Sequence, residues 1–324
     1  MGYDRVMTPR IGFRALPAAA LLAVLATVLL AVPAAMPVSL GRDALPGIDA
    51  TTLWARVRVV GASASAGFAV RAPGARTRTS RLEPMTLARI ASAARIGAGE
   101  VTGDASGFFF LDPVRNGREQ VDDLLAMDPR PTVVLAPDFL FWFTYGTVGP
   151  GRRPVREESQ RFELLQEGLR ILDRVGEAGI PLVVGDLPDM SAAVGKMLSR
   201  AQMPARETIA RANEEIRAWA ARRPRVALLP LGRLVSELRA GKPFQAGRRT
   251  WDAAVDGALI QRDDLHPTFE GTVALLARAE QAANDRFLGA RQPNAPGAPA
   301  AFEHDPAKVA ERVRIELVPA RTQP

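Results

Sequence analysis

The chain has no cysteine among its 324 residues, which excludes disulfides and thiolate metal sites. Histidine is nearly as scarce. His266 and His304 are the only two, too few for a multi-histidine zinc centre. Lysine is confined to Lys196, Lys242 and Lys308, so the formal charge of +7 is carried by arginine. Those arginines alternate with acids along the helical stretches, and no basic patch is interleaved with aromatics. The charge therefore reads as solvated helix faces, and a nucleic-acid partner is not expected. A dinucleotide fingerprint is also missing, because Ser63 stands where the second glycine of G-x-G-x-x-G belongs. No internal repeat occurs.

Hydrophobic residues make up 47% of the chain, ample for one large α/β domain or two small ones. Residues 1–14 hold Arg5, Arg10 and Arg14 against Asp4 alone. The apolar run Ala15–Val32 follows, then small residues at Val32-Pro33-Ala34, where a signal peptidase would read. Residues 1–34 are expected to be a secretory signal or an N-terminal membrane anchor. The run is about long enough to span a bilayer, so length alone does not choose. Either way the remainder is exported, with membrane contact only through this segment. Loss of the segment removes three arginines and one aspartate, taking the charge from +7 to +5.

Five short apolar runs alternate with helical patterns. Strands are expected at Val57–Val60, within Glu100–Leu111, and at Thr132–Ala136, Pro181–Val184 and Val226–Leu229. Helices are expected at Met85–Ile96, Gly117–Met127, Ser159–Ala178, Glu207–Arg222, Leu234–Leu238 and Pro267–Leu288, with Pro267 at the first helical position. This alternation predicts a doubly wound parallel sheet in a three-layer α/β/α domain over residues 50–288. Residues 289–324 are Pro/Ala-rich and read as a loose extension, in which only Val309–Val318 could order. Ligands of such folds sit at the carboxyl ends of strands. Ser63, residues 102–111, Asp138 and Asp186 all follow strands and could converge there.

Two stretches carry chemistry. Gly61-Ala62-Ser63-Ala64-Ser65-Ala66-Gly67-Phe68 follows the first strand, and a serine between small residues there can expose its hydroxyl on a sharp turn. Asp263-Asp264-Leu265-His266-Pro267 stands before the last long helix. An Asp and a His three apart let a carboxylate fix one imidazole tautomer and stabilise the imidazolium. A phosphate-binding glycine loop is the other reading of the first stretch, and a Rossmann-like binding domain is the alternative fold.

Together the two stretches resemble the first and last blocks of the SGNH (GDSL-type) hydrolases, Gly-Asp-Ser-Leu-Ser/Thr-x-Gly and Asp-x-x-His-Pro. Gly61, Ser63, Ser65 and Gly67 match; Ala62 replaces the family's Asp. The resemblance implies a flavodoxin-like sheet and a serine esterase acting on a small-molecule or polymer ester without metal or cofactor. Ser63 would be the nucleophile, His266 the base and Asp263 its orienter, with Asp264 as the alternative. Gly107, or Gly103, would supply an oxyanion N–H. Asp138 matches the family's third block, but Pro137 stands where its oxyanion Asn belongs. Trp142 or Tyr145 could substitute. They lie in Asp138–Gly146, five aromatics in nine residues, readable as a pocket wall or as a core plug. The departures at Ala62 and Pro137 leave a second reading open, a non-catalytic envelope protein that binds polysaccharide.

Overall fold

Strands rich in β-branched residues form the centre of the molecule, where a parallel sheet covered by helices is buried. In the computed structural model, β1 (Arg56–Val59), β2 (Glu100–Gly103), β3 (Val133–Ala136), β4 (Leu182–Gly185) and β5 (Val226–Leu229) make one parallel sheet. The strand order is β2-β1-β3-β4-β5, the doubly wound order of flavodoxin-like folds. The structure describes residues 45–72, 84–149, 154–289 and 300–317, all within one compact unit, Arg42–Pro324. A separate unit, Met1–Gly41, and with it the expected signal or anchor, lies outside the described residues. Among the described residues no helix is long and apolar enough to cross a membrane.

Alternation along the strands builds two cores. In β3, Val133 and Leu135 face one core while Val134 and Ala136 face the other, as a two-residue period requires. The first core is closed by α1 (Ala50–Leu53), α2 (Leu87–Ala94), α9 (Phe269–Phe287) and α10 (Pro306–Leu317). The second is closed by α3 (Pro113–Ala126), α4 (Phe141–Tyr145), α5 (Glu158–Glu177) and α6 (Arg206–Ala221). The remaining helices, α7 (Leu231–Ala240) and α8 (Ala253–Asp256), flank a small hairpin, β6 (Phe244–Ala246) with β7 (Arg249–Trp251).

Three expectations are corrected. Residues 300–317 are no loose extension. Ala301, Phe302, Val309, Ala310 and Val313 are buried in the first core, because the extension carries an apolar helical stripe that α2 and α9 leave room for. His304, within the stretch expected to be loose, is buried and its Nε2 lies 2.6 Å from Glu280 Oε2. Pro267 precedes the last long helix; its N-cap is Thr268, whose hydroxyl accepts the Gly271 N–H at 3.1 Å.

Candidate active site

β1 delivers the chain into a turn that two distant side chains hold. Gln120 on α3 bonds both polar groups of Gly61, accepting its N–H and donating to its carbonyl, each at 2.9 Å. Asp138, just after β3, accepts the N–H of Ala62 at 3.0 Å, of Ala64 at 2.8 Å and of Ser65 at 3.2 Å, and the Ser65 hydroxyl at 2.6 Å. Every matched residue of this block now has a reason. A side chain at Gly61, where φ is +145°, would place its Cβ 2.2 Å from Asp138 Oδ1. One at Gly67, with φ +70°, would meet the Met85 carbonyl at 2.1 Å. Ser65 is fully buried as the hydroxyl partner of Asp138.

The histidine loop is equally local in its logic. Asp263 Oδ1 accepts the N–H groups of Leu265 and His266 at 2.9 and 3.0 Å, an Asx-type turn. That turn leaves Asp263 Oδ2 2.7 Å from His266 Nδ1. His266 Nε2 in turn lies 3.0 Å from Ser63 Oγ, across 203 residues of sequence. Burial alone would raise the Asp263 carboxyl, but hydrogen bonds from the His266 backbone and ring and from Leu265 hold it below the usual carboxylate range. It stays charged, as an imidazolium partner must. Asp264 cannot take that role, because its carboxylate is paired with Lys196.

Two residues without any sequence signature join the halves. Gln261 donates to the carbonyls of Phe68 at 2.9 Å and Pro267 at 2.7 Å, tying the serine turn to the histidine loop. Phe68 stacks on the His266 ring at 4.5 Å while remaining partly exposed. A lone glutamine in a loop gives no pattern to read, and Phe68, though it ends the serine stretch, carries nothing there that points to His266.

Of the expected oxyanion groups, Gly107 directly follows a residue tied to the serine turn. Ser106 donates its N–H to the Gly61 carbonyl at 3.0 Å, which brings Gly107 beside the serine turn. Among the described residues neither the Ser63 nor the Gly107 N–H makes a hydrogen bond. Gly103 ends β2, paired with Val59 and packed on Ala88, so it is structural. Asp138 is committed to the turn, and a carboxylate cannot stabilise an oxyanion. Tyr145 is fully buried and donates its hydroxyl to the Pro188 carbonyl at 2.5 Å; burial pushes its pKa well above the usual phenol value. Trp142 packs on Phe110 and Phe141, its buried Nε1 without a partner. The aromatic run is thus mainly a core plug, with Phe141 alone of its five rings bordering the pocket at Ser63. Asp186 serves α7, accepting the Gly232 N–H at 2.7 Å, while burial pushes its carboxyl up. Among the described residues no three His, Asp or Glu side chains gather as metal ligands would.

No protein-family model matches the chain, and no curated protein sequence matches it. Similar solved structures include a member of the lipolytic G-D-S-L family from Veillonella parvula, 12% identical, covering 70% of this chain and 96% of its own, at a TM-score of 0.42. An α/β hydrolase enzyme from the metagenome of Lake Arreo, Spain, is 12% identical over 76% of this chain and 99% of its own, at 0.43. A gut microbial diltiazem-metabolizing enzyme is 14% identical over 72% of this chain, at 0.43. The chain spans about half of that last protein's length, 47%. Likenesses this loose carry no argument about activity.

Proposed function

We propose that the chain is an exported serine ester hydrolase working through Ser63, His266 and Asp263. The observation that carries this reading is the relay Asp263 Oδ2–His266 Nδ1 at 2.7 Å and His266 Nε2–Ser63 Oγ at 3.0 Å. Serine hydroxyls are poor nucleophiles until a positioned base takes their proton. His266 Nε2 accepts the Ser63 proton as Oγ bonds to the ester carbonyl carbon. The Ser63 and Gly107 N–H groups hold the resulting oxyanion. The carbon–alkoxide bond then breaks, the alkoxide leaves with the proton from His266, and Ser63 carries the acyl group. Water repeats the steps and releases the acid. With Pro137 in place of an amide donor, the hole has two donors, and a missing donor typically costs about 10²–10³ in rate. A slow esterase is therefore expected. Export rests on the sequence of residues 1–34.

A fluorophosphonate, which labels activated serines, tests this. The purified protein is expected to label at Ser63. Ser63→Ala abolishes labelling, His266→Ala nearly does, and Asp263→Asn slows it less than loss of the base does. A folded protein that takes no label and cleaves no acyl ester would instead be the non-catalytic envelope protein.

A further inference from the structure

Both ring nitrogens of His266 are engaged at the edge of the ring, Nδ1 with Asp263 Oδ2 at 2.7 Å and Nε2 with Ser63 Oγ at 3.0 Å. Its two faces remain. Phe68 lies on one of them, with ring centroids 4.5 Å apart and planes 29° from parallel. His266 is 2% exposed and Phe68 42%, so the phenyl ring is the outer layer and the imidazole the inner one.

The backbone is strained on both sides of this contact. Among the described residues, Ala69 and Asp264 are the only ones besides glycine with a positive φ, at +54° and +57°. Ala69 follows Phe68, and Asp264 stands two residues before His266. Such conformations persist only where the surroundings fix them, and they cluster at functional sites. Here the Phe68 N–H donates to the Ser63 carbonyl at 3.0 Å, and the Phe68 carbonyl accepts Gln261 Nε2 at 2.9 Å. Its main chain thus ties the ring to the serine turn and to the histidine loop together.

The face of an aromatic ring is negative and attracts a cation placed over it. As the base of the proposed acyl transfer, His266 is neutral before the Ser63 proton arrives and a cation after it. The imidazolium then has the Asp263 carboxylate at its edge and Phe68 on its face. Resting on the proposed esterase reading, we infer that Phe68 is a positioning residue of the reaction. Its ring face steadies a charge that His266 carries only while the tetrahedral oxyanion exists.

Substitutions that keep an apolar cover but change its face test this. Phe68→Leu removes the π face. Losing an interaction made only in the transition state lowers kcat and kcat/KM by the same factor. Both are expected to fall about three- to thirtyfold, with KM unmoved and fluorophosphonate labelling of Ser63 slowed to match. Phe68→Tyr keeps the face and is expected to stay within about twofold of the wild type. Phe68→Met repeats the loss with a different shape, and urea unfolding checks that each variant is folded. A folded Leu or Met variant as fast as the wild type, a Tyr variant as slow as Leu, or a change in KM alone overturns the role of Phe68 while the esterase reading stands. A wild-type protein that takes no label and hydrolyses no ester overturns both.

Discussion

Asp138 accepts four hydrogen bonds from Ala62, Ala64 and Ser65, so one side chain ties down the backbone on both sides of Ser63. Asp138→Ala leaves those donors unpaired in a buried turn, and each unsatisfied group costs about 1–3 kcal/mol. A loss of at least ~3 kcal/mol is expected as a lower urea midpoint at unchanged m, together with slower labelling of Ser63. An unaltered midpoint would mean that Gln120 and α2 hold the turn without it. Ser63, His266 and Asp263 were legible in the sequence because their chemistry sits in two short local patterns. The position of Asp138 was legible but its role was not, since a carboxylate after a strand reads alike whether it faces substrate or backbone. Tyr145 and Trp142 misled for a similar reason. An aromatic beside a strand end can wall a pocket or fill a core, and only packing decides.

Among the elements, the five strands of the sheet and the long helices were legible because each spans enough residues to show its period. The hairpin β6–β7, with three residues per strand, is too short for that signal. The five-residue α4 hid inside a run that is apolar on all sides. The turn from β1 to α2 carries a prediction of its own. Gly67→Ala forces a Cβ to within 2.1 Å of the Met85 carbonyl at a φ of +70°, and strained backbone of this kind costs about 1–3 kcal/mol. The variant is expected to lose at least that much stability by thermal or urea unfolding, with labelling of Ser63 slowed as the turn shifts.

For the whole molecule, the surprise is the C-terminal segment. Its composition reads as a tail, yet Phe302 is fully buried, edge-on to Trp54 at 5.1 Å. Glu280 on α9 pairs with His304 and accepts the Ala301 N–H at 2.7 Å. Single-letter composition weights the prolines and alanines and misses that one aromatic and three apolar positions are enough to dock a short helix. Phe302→Ala is expected to lower stability by about 3–5 kcal/mol, seen as a lower melting temperature, although the residue belongs to a segment far from the serine in sequence.

The serine turn has one more consequence for the molecule. Its shape is held by Gln120, Asp138, Gly61, Gly67 and Ser65, while among the described residues the Ser63 side chain bonds only His266. Ser63 is thus a passenger on a frame that does not need its side chain. Ser63→Ala should fold as the wild type does and keep the pocket while being unable to cut what enters it. On the proposed esterase reading, such a protein is a receptor made from an enzyme. Immobilised and washed with cell extracts, it is expected on that reading to retain the intact ester, which mass spectrometry of the eluate would identify.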